Sequence, residues 1–363
     1  MLASLLDTPR KRVIAVVAVI ALAAGVTVAI AALAGDDNEA APTTTTTSTT
    51  TTTSTTTSTA EPAAVAPLTG LPDPGTGHTA RPALVVKLDN VEPKARPQAG
   101  INQADVVYEE RVEGSVTRLL AVFHSTDAAP VGPVRSARSS DIAIFTPLNR
   151  PFFAWSGANA TFAGLIRAAA AVDVGYDAQS GHYYRERGRP APSNLMIRST
   201  VDLMALPAEG SAPPPPLFHY RAEGEEVPHL EPVTAVRIVY GTSAGSAPVE
   251  YRWNGEGWAR TQAGTPHVDA DGVQVAPANV IIQFTPYHGS GVADQFGNDI
   301  PEAALVGEGD AWILTAGGLV PARWSKPSLE AVTTYTDADG NPVKLRPGRT
   351  WVALPPPGGA TKL

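Results

Sequence analysis

The stretch DVVYEERVEGSVTRLLAVFH, residues 105–124, decides the fold of the first half of this 363-residue chain. Valine, leucine, tyrosine and threonine dominate it, and such residues favour extended structure. Glu113-Gly114-Ser115 interrupts the run and predicts a tight turn, because glycine accepts backbone angles that other residues avoid. The stretch therefore predicts a β-hairpin with strands over residues 105–111 and 116–124.

Around this hairpin, residues 66–206 are expected to form a mixed α/β domain. Two apolar runs are typical of buried strands, and three further segments are typical of short helices. The strand segments are 83–88 and 152–155, and the helix segments are 142–148, 158–171 and 200–205.

Residues 231–363 predict a second, mostly antiparallel β domain, because β-prone segments alternate with turn residues at short intervals. The segments are 234–240, 249–253, 257–260, 280–284, 311–314, 320–324, 332–335, 343–345 and 350–353. A proline-rich linker, residues 207–230, separates the two domains. The fold class expected for the whole globular part is therefore α+β.

An uncharged apolar run, Val13–Leu33, precedes these domains. A helix needs about 20 residues to cross a hydrocarbon core of about 30 Å. Basic residues lie before the run and acidic residues after it, which places the later domains outside the cytoplasm. Residues 1–12 would be a cytoplasmic stub and 13–33 a retained transmembrane anchor; the alternative is secretion after cleavage near Ala34.

Residues 34–65 are expected to be a disordered stalk, because their threonine and serine tract has nothing to bury. An O-glycosylated spacer and an unmodified polar linker both stay open. The chain contains no cysteine, which excludes disulfides, cysteine-ligated metals and lipid attachment through cysteine.

Composition and motifs exclude several function classes. The net charge of −8 argues against nucleic acid as a partner. No metal is expected, because the histidines lack the spacing of metal ligands. No cofactor is expected, because no complete dinucleotide-binding fingerprint occurs.

The G-x-S-x-G motif at 241–245 lacks the helix that follows a nucleophile elbow. The 337–341 loop has Gly348 where a calcium loop needs glutamate, so it predicts a hairpin turn. No catalytic residue is identified, and the oligomeric state stays unknown.

Residues 81–138 concentrate polar side chains on predicted strands and turns. Arg135 and Arg138 lie just before a predicted helix, where guanidinium groups and free N–H groups suit a phosphate or carboxylate. The candidate ligand-binding residues are Arg96, Arg118, Arg135, Arg138, Asp89, Asn90, Glu109 and Glu113. The alternative is an internal ion-pair network in which Glu109 or Glu110 faces Arg118 across the hairpin.

Several short motifs of this region and of the second domain resemble the YerB-like bacterial lipoprotein family. They are Leu68-Thr69-Gly70, Ala95-Arg96-Pro97-Gln98-Ala99-Gly100, Gly132-Pro133-Val134-Arg135-Ser136-Ala137-Arg138, Trp324-Ser325-Lys326 and Gly348-Arg349-Thr350-Trp351. The resemblance implies an N-terminal and a C-terminal domain, both of unknown function, and supplies no catalytic residues. This chain lacks the cysteine that a lipoprotein would modify, so Val13–Leu33 would replace the lipid as the membrane tether.

Three functions follow as expectations. The first is an envelope binding module whose partner is an anionic cell-wall polymer or a phosphorylated precursor. The second is a hydrolase or transferase on an envelope glycan or lipid-linked precursor, with Asp89, Glu109 and Glu113 as acids or bases. The third is a protein-interaction scaffold. Two carboxylates facing one open cleft would favour the enzyme. For the binding module, Arg135→Ala is expected to abolish binding with little change in melting temperature.

Overall fold

A computed structural model of the protein describes residues 64–73, 75–243, 246–294 and 296–363. The predicted cytoplasmic stub, the anchor over 13–33 and nearly all of the stalk lie outside these ranges. Within them, no helix combines the length and apolar character that a membrane crossing requires.

Short strands and a few short helices make up the described structure. The strands are β1 (Leu84–Asp89), β2 (Val106–Arg111), β3 (Thr117–Phe123), β4 (Phe152–Ala154), β5 (Val172–Asp173), β6 (Tyr183–Arg185), β7 (Leu195–Ile197), β8 (His219–Tyr220), β9 (Glu231–Pro232), β10 (Ala235–Ile238), β11 (Val249–Trp253), β12 (Trp258–Gln262), β13 (Thr265–Pro266), β14 (Asn279–Gln283), β15 (Tyr287–Ala293), β16 (Asp299–Ala303), β17 (Gly307–Thr315), β18 (Gly318–Lys326), β19 (Thr334–Thr336), β20 (Lys344–Leu345), β21 (Thr350–Leu354) and β22 (Ala360–Lys362). The α-helices are α1 (Asp141–Phe145), α2 (Ala160–Ala168) and α3 (Thr200–Met204).

Among the described residues, eleven strands form one mixed sheet. Its order is β19-β18-β17-β14-β21-β2-β3-β1-β4-β5, with β9 beside β18. The hairpin predicted from residues 105–124 is confirmed, because β2 and β3 pair antiparallel. Strand β2 also pairs in parallel with β21. Strands from 66–206 and from 231–363 therefore share one sheet, and their division into separate domains stays a prediction.

Alternate side chains of each strand point to opposite faces of this sheet, and both faces are buried under other parts of the chain. A second sheet, ordered β13-β12-β11-β10-β22, packs on one face through residues such as Tyr251 and Trp258. We call this the β face. Helices α1 and α2 cover the other face, together with Leu217 and Phe218; we call it the helix face. The alternation decides which polar side chains of β1, β2 and β3 can meet.

The α+β class is confirmed, and each β segment predicted in the second region overlaps a strand. The structure differs at the segment predicted as 142–148, where α1 ends at Phe145 and a 3₁₀ turn follows. Pro147 has no N–H to continue an α-helix. The glycine-rich stretch at 288–291 belongs to the hairpin β15–β16. The side chains of β15 are mostly exposed. The sequence therefore lacks the alternation of apolar and polar residues that indicates a strand.

Candidate functional site

Backbone pairing beside β1 brings three arginines together at one end of the sheet. The Arg135 N–H donates to the Lys87 carbonyl at 2.9 Å, and the Asp89 N–H donates to the Pro133 carbonyl at 2.9 Å. The segment that carries Arg135 and Arg138 therefore runs against the end of β1. Arg118 lies opposite Asp89 on the neighbouring strand β3. We call Arg118, Arg135 and Arg138 the arginine cluster.

Glu113 holds one member of the cluster from the tip of the β2–β3 hairpin. Arg138 Nη2 lies 2.7 Å from both Glu113 carboxylate oxygens. Gly114 takes a left-handed φ of 69° directly after Glu113, a conformation that suits glycine at a tight turn. Burial opposes ionisation of Glu113, but the bonds from Arg138 outweigh it and lower the pKa of the carboxyl.

Arg118 differs from the other two arginines because no carboxylate within the described residues lies in ion-pair range of it. Its Nη1 donates to the Ser136 carbonyl at 2.9 Å, and its Nε has no partner there. The residue is only 7% exposed. Burial, followed by the positive charges of Arg138 and Arg135, lowers the pKa of Arg118 to about 9. Such a guanidinium gains from any anion that reaches it.

An open cleft of about 740 Å³ lies against the arginine cluster. The hairpin β15–β16 forms its opposite wall through Asp294, Phe296 and Ile300. The Asp294 carboxylate accepts the N–H groups of Phe296 and Asn298 at 2.8 and 2.9 Å, so its hydrogen bonds are made within its own loop. Phe296 is 79% exposed at the cleft. We call this space the arginine cleft. It can accept an anionic group beside the aromatic ring of Phe296.

The structure separates Glu109 from the cleft and places it on the β face. Its carboxylate pairs with Arg260 Nη2 at 2.8 Å, and both side chains are fully buried. Trp351 Nε1 donates to the second carboxylate oxygen at 3.1 Å, and Thr117 donates to the first at 2.9 Å. Arg260 also contacts His267, and burial together with Arg260 lowers the pKa of His267 well below its usual value.

Asn90 and Arg96 also lie away from the arginine cleft. Asn90 Nδ2 donates to Thr117 Oγ1 at 2.7 Å, within the network of Glu109. Arg96 pairs with Glu92 four residues earlier. Burial and the positive charge of Arg260 lower the pKa of Arg96 to about 10.

Asp89 contacts the arginine cluster through Arg135. Its Oδ2 lies 3.2 Å from Arg135 Nε and accepts the Ser193 hydroxyl at 2.6 Å. Of the eight predicted site residues, the structure thus brings together Arg118, Arg135, Arg138, Glu113 and Asp89. The alternative in which Glu109 or Glu110 faces Arg118 across the hairpin holds for Glu110 in strand register, but neither carboxylate forms an ion pair with Arg118. Glu110 lies opposite Arg118 in register, but its carboxylate turns to Lys87.

The Glu110 carboxylate points to Lys87 because both residues belong to a buried triad on the helix face. Lys87 Nζ lies 2.5 Å from Glu110 Oε1 and 2.6 Å from Asp141 Oδ1, and all three side chains are fully buried. Asp141 Oδ2 accepts the Arg138 N–H at 2.8 Å, which ties the triad to the arginine cluster. Asp141 is the acidic residue in the first turn of α1. Its role depends on packing α1 over β1, which no local spacing reveals.

The triad holds two carboxylates against one ammonium, and this predicts a pH effect on stability. Burial and Glu110 raise the pKa of Asp141 to about 7 against the attraction of Lys87. The unfolded chain releases this proton near pH 4. The folded state therefore keeps a proton that the unfolded state has lost, and Asp141 makes stability fall between about pH 4 and 7 by up to about 1.4 kcal/mol per pH unit.

The check is urea unfolding of wild type and Asp141→Asn from pH 4 to 8. The difference between their unfolding free energies isolates Asp141. His124 and His267, whose pKa values burial lowers, contribute a slope of opposite sign in both proteins. We expect wild type to lose stability relative to the variant as pH rises to 7. A pH-independent difference would show that Asp141 is ionised throughout.

The loop predicted as a hairpin turn at 337–341 has that geometry. Asp337 Oδ1 accepts the N–H groups of Asp339 and Asn341 at 3.0 and 2.9 Å. The structure adds His229, whose Nε2 lies 2.8 Å from Asp339 Oδ2. Ligand-capable atoms of these two aspartates and His229 lie within 4.8 Å of one another. His229 is distant in sequence, so no motif pointed to the group.

Comparison with known proteins finds one family over both regions. Residues 68–208 match the protein of unknown function (DUF3048) N-terminal domain, and residues 236–352 match the DUF3048 C-terminal domain. The chain is 29% identical over 303 residues to YerB of Bacillus subtilis (strain 168), named as a candidate lipoprotein, covering 80% of this chain and 86% of that protein. The crystal structure of YerB protein from Bacillus subtilis matches with a TM-score of 0.70 and 26% identity, covering 82% of this chain and 99% of that chain. The resemblance inferred from the motifs is confirmed.

Proposed function

This chain belongs to the DUF3048 family, whose N-terminal and C-terminal domains it contains, and we propose that it is a membrane-anchored, extracytoplasmic protein that binds an anionic group of the cell envelope in the arginine cleft. The descriptions of both domains leave the activity open. The matched relative is named as a candidate lipoprotein, which supports a location at the membrane. The proposed activity rests on the cleft itself.

One observation carries the proposal: Arg118 is buried at the cleft between two other guanidinium groups and has no carboxylate partner within the described residues. Burying an unpaired charge is costly. The fully buried Arg260, by contrast, is matched by the buried carboxylate of Glu109. A phosphate or carboxylate of a ligand would supply the missing negative charge to Arg118 and form charge-assisted hydrogen bonds with it.

The position of the carboxylates favours binding over acid–base catalysis. Glu113 is held by Arg138, Asp89 by Arg135 and Ser193, and Glu109 lies on the opposite face of the sheet. General acid–base chemistry on a substrate needs carboxyl groups within hydrogen-bond reach of the reacting atoms. Among the predicted acids, Glu113 alone lines the cleft, and Arg138 engages both of its oxygens.

The membrane anchor of this proposal is Val13–Leu33, which lies outside the described residues. The chain has no cysteine to carry a lipid, so the apolar run would hold the protein at the membrane and residues 34–65 would set its reach. Intact-mass measurement of the native protein tests this. We expect residues 1–33 to be retained, and a mass that begins after Ala34 would contradict the anchor.

Isothermal titration calorimetry of the full-length protein in mild detergent tests the binding function. Pyrophosphate serves as the probe and glucose as the neutral control. We expect saturable binding of pyrophosphate at one site, weakened by added sodium chloride because salt screens charges at an open cleft. Equal heats for pyrophosphate and glucose, or the absence of saturation, would contradict the proposal.

A further inference from the structure

A second cavity, of about 350 Å³, lies on the helix face beneath the segment that leads into β8. Its volume lies within the range of about 300–1,000 Å³ that is typical of small-molecule sites. Leu217 and Phe218 cover it, and Ile281, Ile313 and Leu345 form its floor and side. Among the residues that the structure describes, none lines both this cavity and the arginine cleft.

A small void of about 20 Å³, which Lys326 lines, lies next to this cavity. The two spaces share the wall residues Leu217, Phe218, Val332, Thr333 and Tyr335. The apolar cavity is therefore adjacent to the void that a single ammonium group lines.

Lys326 is unusual because it is 2% exposed and no carboxylate of the described residues lies within ion-pair distance. Its ammonium donates to the Ala331 carbonyl, which occupies one of three donors. Glu330 is the nearby acidic group that favours the charged form, but burial outweighs it and lowers the pKa of Lys326 to about 8. The other buried lysine described, Lys87, has two carboxylates.

We propose that this cavity binds a free, single-chain anionic amphiphile, with the apolar chain against Phe218 and Ile313 and the anionic head at Lys326. The lining is apolar on the sheet side, so a hydrocarbon chain replaces water there favourably. The ammonium at the inner void supplies the charge complement that a carboxylate head needs. This site is independent of the arginine cleft.

Fluorescence and calorimetric titration of the full-length protein with decanoate test the proposal. Decanol and decyltrimethylammonium are chain-matched controls with neutral and cationic heads. We expect decanoate to bind saturably and at least about tenfold more tightly than decanol, because a charge-assisted hydrogen bond contributes about that factor or more. Anionic phospholipid vesicles form a separate arm. Binding to vesicles without binding to monomeric decanoate would overturn the proposal.

Two variants locate the head group and the chain. Lys326→Met keeps the length of the stem and removes the charge, so we expect it to fold and to bind decanoate and decanol equally. Lys344→Met, at an exposed lysine paired with Glu225, is the matched control and should retain the preference for decanoate. Val343→Phe should weaken both ligands by filling the cavity. A decanoate preference that survives Lys326→Met would place the head elsewhere and overturn the assignment.

Discussion

Lys87→Met is expected to destabilise the protein by about 3–5 kcal/mol. Lys87 is the ammonium that both buried carboxylates of the helix face contact, at 2.5 and 2.6 Å. Methionine fills a similar volume but leaves Glu110 and Asp141 without a positive partner. Removing one partner of a buried ion pair costs this much because the remaining charge stays uncompensated. Chemical denaturation monitored by tryptophan fluorescence measures the loss.

Two further proteins make this prediction specific. Lys94→Met changes an exposed loop lysine and is expected to stay within about 0.5 kcal/mol of wild type. Lys87→Met combined with Glu110→Gln removes the carboxylate whose pKa Lys87 lowers against burial, and should recover part of the stability. If Lys87→Met were as stable as Lys94→Met, the triad would contribute nothing to the fold.

Arg118→Met is expected to weaken pyrophosphate binding by about 2 kcal/mol, about thirtyfold, while changing stability little. The affinity falls because a hydrogen bond between charged groups contributes about 1.5–3 kcal/mol. Stability changes little because two effects oppose each other. The variant loses the bond to the Ser136 carbonyl. It also removes the burial of a charged group and the repulsion from Arg138 and Arg135, which together lower the pKa of Arg118. Methionine retains the apolar part of the buried stem.

Arg187→Met, at an exposed position, is the matched control and should bind pyrophosphate like wild type. Calorimetry gives the affinities and thermal unfolding gives the stabilities. An Arg118→Met protein that binds normally but melts much earlier would assign Arg118 to the scaffold.

Arg135 now carries a different expectation from the one based on sequence alone. Its Nε lies 3.2 Å from the buried Asp89, so Arg135→Ala should reduce stability as well as affinity. Arg118 is therefore the better probe of the cleft, because its removal leaves no carboxylate unpaired.

The fold was predictable where the pattern is local. Residues 105–124 contain both strands of the central hairpin and their turn, and each β-prone segment of the second region overlaps a strand. The pairing of β2 with β21 was not predictable in this way. It joins Val106 to Thr350 across most of the chain, and no turn or spacing specifies such a partner.

The candidate site was predictable in part for the same reason. Arg135 and Arg138 are close in sequence, and the hairpin turn brings Glu113 within reach of Arg138. The roles of Glu109 and Glu110 depended on strand register, since neighbouring residues point to opposite faces. Their partners, Arg260 and Lys87, lie on other strands. The concentration of charged residues in the sequence indicated the region. Tertiary packing decides which of these residues line the cleft and which form buried structural ion pairs.

The Nε–H resonance of Arg118 in a pyrophosphate titration, followed by ¹⁵N NMR of the full-length protein, tests the binding account most directly. The resonance is assigned by its loss in Arg118→Met. We expect a saturable shift of Arg118 that follows the calorimetric binding curve, with no shift for Arg187. An unchanged Arg118 resonance at saturating pyrophosphate would contradict the proposal that the arginine cleft is an anion-binding site.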